Sequence, residues 1–132
     1  MIINDWDIAN SHIKQWKKTG DTVVFTNGCF DIIHRGHIEI LSVAKEKGDR
    51  LVVGLNGDQS VTRLKGNNRP LQPFEDRAMI LNAIESVDMV VGFEEDTPAE
   101  IILHFLPDVL VKGGDYTTDT IVGADTVIAN GG

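Results

Sequence analysis

The chain has 132 residues, enough for one domain that buries roughly two thirds of its unfolded surface, and too few for a second catalytic domain. Twenty acidic against twelve basic residues leave a net charge of −8. That balance argues against a nucleic-acid or membrane-surface binder, and an anionic substrate must find a local positive site. One cysteine excludes an intrachain disulfide, and with no apolar run near 18 residues and no signal-peptide pattern in Asn4-Asp5-Trp6-Asp7, a cytoplasmic protein is expected.

Taken in order, Trp6, Ala9, Ile13 and Trp16 recur at intervals of three and four and predict a packing or dimer helix over residues 5–18, closed by Gly20. Val23, Val24 and Phe25 predict a buried strand over 22–26, and Asn27-Gly28 marks a turn. Ile38, Leu41 and Ala44, with Ile40 and Val43, take helical spacing, so a helix over 35–47 ending at Gly48 should follow. Residues 50–55 are continuously apolar in the middle, as a parallel strand covered on both faces should be. The polar stretch 59–72, with Arg63, Lys65, Arg69 and Asn67-Asn68, reads as a mobile loop carrying functional charge. A helix over 73–86 is expected to turn Met79, Ile80, Ala83 and Ile84 inward, and a short strand over 88–92 follows. Thr97, Pro98 and Glu100 read as N-cap, first-turn proline and capping-box acid of a helix carrying Ile101, Ile102, Phe105 and Leu106. Val109-Leu110-Val111 forms the fourth strand, and residues 121–129 a last segment.

Alternating strands and helices imply an α/β, Rossmann-like doubly wound parallel sheet with helices on both faces, one domain over residues 1–132. Ligands of such sheets bind beyond the carboxyl ends of strands, near the reversal of strand order. Residues 26–31, 56–58, 92–95 and 112–116 lie at those ends and are expected to converge on one cleft.

The segment Thr26-Asn27-Gly28-Cys29-Phe30-Asp31-Ile32-Ile33-His34-Arg35-Gly36-His37 runs from strand through turn to helix. The first amides of that helix lack internal partners and sit at the positive end of its dipole, which makes an anion site. His34 and His37, three residues apart, then face one anion from the first turn, unless they are simply polar capping residues. Gly36 costs helix stability, so close approach of a ribose or base is expected there. No metal site is expected, because His12 and His104 have no obvious route to the pair. Asp31 suits a ribose contact or a helix cap. Asn56 and Asp58 suit a sugar contact or a plain turn. Cys29 reads as a small buried residue whose amide matters.

The pattern Gly28-x-Phe30-Asp31-x-x-His34-x-Gly36-His37 resembles the signature of nucleotidyltransferases that join a nucleoside monophosphate to a phosphorylated small molecule. Arg63-Leu64-Lys65-Gly66, Arg69-Pro70, Phe93-Glu94-Glu95-Asp96-Thr97-Pro98 and the run from Leu106 through Lys112-Gly113-Gly114-Asp115-Tyr116 look like D-glycero-β-D-manno-heptose 1-phosphate adenylyltransferases, which make ADP-heptose for bacterial lipopolysaccharide or capsule. The resemblance runs from about residue 21 to 132. It implies attack of a sugar 1-phosphate on the α-phosphorus of ATP, with Mg²⁺ carried by ATP and pyrophosphate released. It implies catalytic roles for His34, His37 and Lys65. Nucleotide contacts are implied for Thr26, Asn27, Gly28, Cys29, Phe30, Asp31 and Gly36, and for Lys112, Gly113, Gly114 and Asp115. Acceptor contacts are implied for Asn56, Asp58, Arg63 and Arg69. Arg77 resembles a family arginine, with a phosphate role or a packing role open.

A homodimer is implied, together with a separate sugar kinase and phosphatase to supply the acceptor. The family pattern continues past Asn130-Gly131-Gly132 into a strand and a Ser-Thr-Thr helix start that contacts the triphosphate, a segment this sequence lacks, so either the sequence is truncated or the nucleotide site is built differently. A cytidylyltransferase acting on glycerol 3-phosphate shares the histidine chemistry, and a non-catalytic nucleotide-binding domain is the alternative from another class.

Overall fold

In the computed structural model, which describes residues 1–112 and 121–132, the Asp5 carboxylate accepts from the Asp7 and Ile8 amides and starts α1 (Trp6–Lys18). Then follow β1 (Val23–Gly28), α2 (Arg35–Glu46), β2 (Arg50–Asn56), α3 (Asp58–Lys65), α4 (Phe74–Asn82), β3 (Met89–Phe93), α5 (Ala99–Phe105), β4 (Val109–Leu110) and α6 (Ala124–Ala129). The four described strands are parallel in the order β3-β2-β1-β4. The chain steps outward from β1 to β3 and then returns to the other side of β1, so strand order reverses between β1 and β4.

Alternation along the strands divides the core. Val23, Phe25, Val52, Met89 and Val91 meet Ala9 and Ile13 of α1, Ile101, Ile102 and Phe105 of α5, and Val127 of α6. Val24, Leu51, Val53 and Val90 meet Leu41 and Ala44 of α2 and Ala78 and Leu81 of α4. Each of the valine, leucine, isoleucine, methionine and phenylalanine side chains contributes about 1.5 to 3 kcal/mol by leaving water. The doubly wound parallel architecture is therefore the one expected, and no described helix is long and apolar enough to cross a membrane.

Several elements differ from expectation. The first half of the polar stretch 59–72 is the helix α3, because Ser60 and Val61 are buried beneath it and Asp58 favours its first turn. Helix α4 buries Arg77, Ala78 and Leu81, leaving Met79 70% exposed and Ala83 exposed, while Ile84 is half-buried. On α2 only Leu41 and Ala44 are buried, and Ile38, Ile40 and Val43 face outward. Helix α5 begins at Ala99 after an uncapped Pro98, with Thr97 Oγ1 accepting from the Ala99 N–H at 3.4 Å. Both tryptophans of α1 pack on the chain's own core: Trp6 Nε1 donates to the Gly92 carbonyl at 2.9 Å, and the Arg50 guanidinium lies 5.1 Å over Trp16. The aromatic surface that suggested a dimer helix is thus used within the chain.

Candidate active site

The turn after β1 sets the geometry. Phe30 takes a left-handed φ of +47°, a conformation that costs a bulky residue on the order of 1 kcal/mol. Its ring folds back over Gly28, where a Cβ would lie 2.9 Å from the ring, so only glycine fits. Cys29 and Asp31 complete the turn, and α2 begins after an extended His34.

His34 and His37 cap this helix reciprocally. His34 Nδ1 accepts from the Gly36 N–H at 3.0 Å, and His37 Nδ1 accepts from the His34 N–H at 3.2 Å. Each Nδ1 is an acceptor, so each neutral ring carries its proton on Nε2 and keeps one donor free of the cap. The two ring centroids are 4.1 Å apart, and Phe30 supports His37 edge-on at 5.4 Å. A Cβ at Gly36 would meet the His34 ring at 2.8 Å. Gly36 thus leaves room for the imidazole of His34.

Both histidines line a cavity of about 310 Å³ with residues 26–32, Ile40, Lys65 and Arg69. It opens beside the reversal of strand order, where Thr26 Oγ1 donates to the Val111 carbonyl at 2.8 Å and ties β1 to the end of β4. The Asn27 amide oxygen is buried without a partner among the described residues and is left to accept from a ligand. Burial, with His34 and Lys65 close by, holds the His37 pKa below its ordinary value, so the ring is neutral at pH 7. Burial pushes the Cys29 thiol up despite nearby Lys65 and Arg77, so it is protonated and no nucleophile.

Asp31 is 4% exposed. It accepts from the Leu71 and Gln72 amides at 2.8 to 2.9 Å and from Arg69 Nε at 2.5 Å. Burial raises its pKa, but these donors outweigh it and hold the carboxyl at about 2. Asp31 therefore fastens the segment after α3 to the β1–α2 turn, and neither caps α2 nor presents a free carboxylate to a ribose.

The remaining candidates lie apart from this cavity. Asn56 is buried and donates to Ser60 Oγ at 3.0 Å. Asp58 pairs with Arg77 at 2.6 Å, and Arg63 pairs with Asp96 at 2.7 Å and donates to the Glu94 carbonyl. Lys112 borders a neighbouring groove with Glu39, Ile40 and Val43, and burial lowers its pKa despite nearby Cys29. Gly113, Gly114 and Asp115 lie outside the described residues. The ends of β2 and β3 line a separate cavity of about 390 Å³ with Trp6, Phe74, Glu94 and Glu95, so among the described residues these two strand ends do not join the cavity beside β1. Arg77 is fully buried and reaches the Cys29 carbonyl directly behind the first cavity. The signal for its inward position is the spacing Phe74, Arg77, Ala78, Leu81, which is i, i+3, i+4, i+7.

Residues 25–130 match the family model described as cytidylyltransferase-like. The chain is 56% identical over 120 residues to the bifunctional protein HldE of Gluconobacter oxydans (strain 621H), covering 91% of this chain and 25% of that protein. It is 53% identical over 130 residues to HldE of Caulobacter vibrioides (strain ATCC 19089 / CIP 103742 / CB 15), covering 98% of this chain and 27% of that one. The chain thus spans about a quarter of the length of these curated relatives. The crystal structure of the lipopolysaccharide core biosynthesis protein from Thermoplasma volcanium GSS1 superposes with a TM-score of 0.70 at 25% identity, covering 85% of this chain and 90% of that one. With most of its length matched by one family model and its fold shared with that structure, the chain belongs to the cytidylyltransferase-like family of nucleotidyltransferases.

Proposed function

We propose that the chain transfers AMP from ATP to D-glycero-β-D-manno-heptose 1-phosphate, giving ADP-heptose and pyrophosphate. The observation that carries this reading is the pair of imidazoles whose Nδ1 atoms are held by the α2 cap, leaving two Nε2–H donors beside the β1–α2 turn, with Lys65 in the same cavity. The kinship to HldE and to a lipopolysaccharide core biosynthesis protein supports the sugar acceptor.

A sugar phosphate has a second pKa of about 6 and is largely ionised at pH 7, so no general base is needed. Its oxygen forms a bond to the α-phosphorus as the bond from that phosphorus to the bridging oxygen breaks, and the electron pair leaves with pyrophosphate. The protein's work is alignment and charge neutralisation. His34 and His37 donate to the developing charge at the α-phosphorus, and Lys65 reaches the departing phosphates. Mg²⁺ would travel with the triphosphate, held by phosphate oxygens and water more than by protein.

The match to a cytidylyltransferase-like model favours a second reading, CMP transfer from CTP to an alcohol phosphate such as glycerol 3-phosphate. Pyrophosphate release is the test, with ATP or CTP crossed against heptose 1-phosphate and glycerol 3-phosphate. Release with ATP and the heptose alone supports the first reading, and release with CTP and glycerol 3-phosphate alone replaces it. Nucleotide binding with no release from any pair makes the chain a non-catalytic binding domain.

A further inference from the structure

We infer that Arg77, which lines no part of the cavity, is a positioning residue that holds the phosphate-binding turn and the cation-bearing helix α3 in mutual register. Its side chain is fully buried. Nη1 donates to the Cys29 carbonyl at 2.9 Å and to the Asn56 carbonyl at 2.7 Å, Nε to the Gln72 carbonyl at 2.9 Å, and Nη2 to Asp58 Oδ1 at 2.6 Å. Four of its five donors thus join four separate pieces of chain: the β1–α2 turn, the end of β2, the first residue of α3 and the segment leading into α4. A buried guanidinium is costly unless every neighbour is fixed to receive it, so the four acceptors are fixed as firmly as the donor.

Two consequences follow for the cavity. The Cys29 carbonyl and the Phe30 N–H belong to one planar peptide and point in opposite directions. Drawing the carbonyl inward onto Arg77 turns the Phe30 N–H away from the interior, at a turn that lines the cavity. Asp58 begins α3, and Lys65 at the far end of that eight-residue helix lines the same cavity, so the bond to Asp58 sets where the Lys65 cation stands. Asp31 supplies the reverse tie. It is a buried anion on the turn that accepts from Leu71 and Gln72, while Arg77 donates to Gln72 from the other side. Oppositely charged buried groups therefore fix the distance between the anion cradle and its cations.

This inference rests on the cavity being a phosphate site, and the experiment separates the two. Inorganic pyrophosphate with Mg²⁺ is titrated calorimetrically into the wild-type chain and Arg77→Lys, and amide resonances are compared in the ligand-free proteins. Lysine keeps the charge but, donating from a single nitrogen, cannot span all four acceptors. In the folded variant, judged by near-UV circular dichroism, the amides of residues 28–31 and of Lys65 should shift while those of Ala9 and Ile13 stay in place. Pyrophosphate affinity should fall at least tenfold. Unmoved amides at 28–31, or wild-type affinity in the folded variant, would overturn the positioning role and leave Arg77 a stability residue. A wild-type chain that binds no pyrophosphate overturns the phosphate site instead, and the amide shifts alone then decide whether Arg77 sets the turn. Asp58→Asn cuts only the α3 arm at a side chain 46% exposed, so it tests the same idea should Arg77→Lys fail to fold. It should shift the Lys65 amide while leaving that of Phe30, and an unmoved Lys65 amide would count against the register.

Discussion

His37 does separate work with its two ring nitrogens, one on the backbone and one toward the cavity, and the two separate in experiment. His37→Ala removes the acceptor for the His34 N–H and should cost about 1 kcal/mol of stability, read as a lower Tm. It also removes an Nε2–H donor, so kcat should fall on the order of 10²-fold or more. A lower Tm with turnover unchanged would leave the imidazole as a cap alone. The pH dependence follows from the same atom. Burial, then proximity to His34 and Lys65, lowers the His37 pKa below its ordinary 6.5. A group that binds its proton more weakly when folded destabilises as it protonates, so its contribution is complete above pH 6.5 and declines as pH falls through the lower folded pKa. Protonation also turns Nδ1 from acceptor into donor and ends the capping bond. A Tm measured from pH 7.5 to 5 should therefore drop more in the wild-type chain than in His37→Ala, and parallel curves would count against this account.

The elements carry the site in pairs, and their joints are polar. The segment 69–72 is joined to the β1–α2 turn by Asp31, held at a pKa of about 2, below the ordinary carboxylate range, by the Leu71 and Gln72 amides and Arg69 against the effect of burial. Because the folded pKa is depressed, the stabilisation is present above the unfolded value near 4 and lost as pH falls through about 2. Asp31→Asn should thus lose roughly 2 kcal/mol at pH 7, by chemical denaturation, with the loss shrinking towards zero as pH falls through and below 2. Helix α3 carries the Lys65 cation. Lys65→Ala should lower kcat strongly while leaving ATP affinity within a few-fold, and unchanged turnover would make it a solvated residue. Strands, crossover helices and the strand-turn-helix of the histidines were legible in the sequence, because apolar runs and spacing report burial directly. Helix α3 was not, since its stripe is only Ser60 and Val61. Helix α4 offered two apolar faces, and the one chosen was decided by carbonyls on three other segments that receive Arg77, a long-range fact no local pattern contains. The same holds for Asp31, whose partners lie 38 to 41 residues away.

At the scale of the whole molecule the two apolar layers share their strands. Val23 and Phe25 face one layer and Val24 the other, as Val52 does beside Leu51 and Val53, and as Met89 and Val91 do beside Val90. Loss of either layer strips one side of every central strand, so the chain should unfold in a single transition. The cavity sits at the reversal of strand order on this shared sheet and is walled by β1, α2 and α3 together, so a ligand that occupies it binds the folded chain and not the unfolded one. Ligand at a hundred times its dissociation constant then stabilises by about 2.7 kcal/mol. In a domain of this size that corresponds to a rise in Tm of roughly 10 °C. The chain's charge of −8 opposes any nonspecific gain from an anion, so a rise must come from the local donors of the cavity. MgATP should raise the single Tm by such an amount while MgCTP at the same concentration raises it less, because the proposed donor is ATP. His34→Ala should reduce the rise with ATP, since Nε2 is lost from the cavity. An equal rise with both nucleotides would mean that the cavity reads the phosphates and leaves the base unread, and a larger rise with CTP would transfer the assignment to the cytidylyl reading.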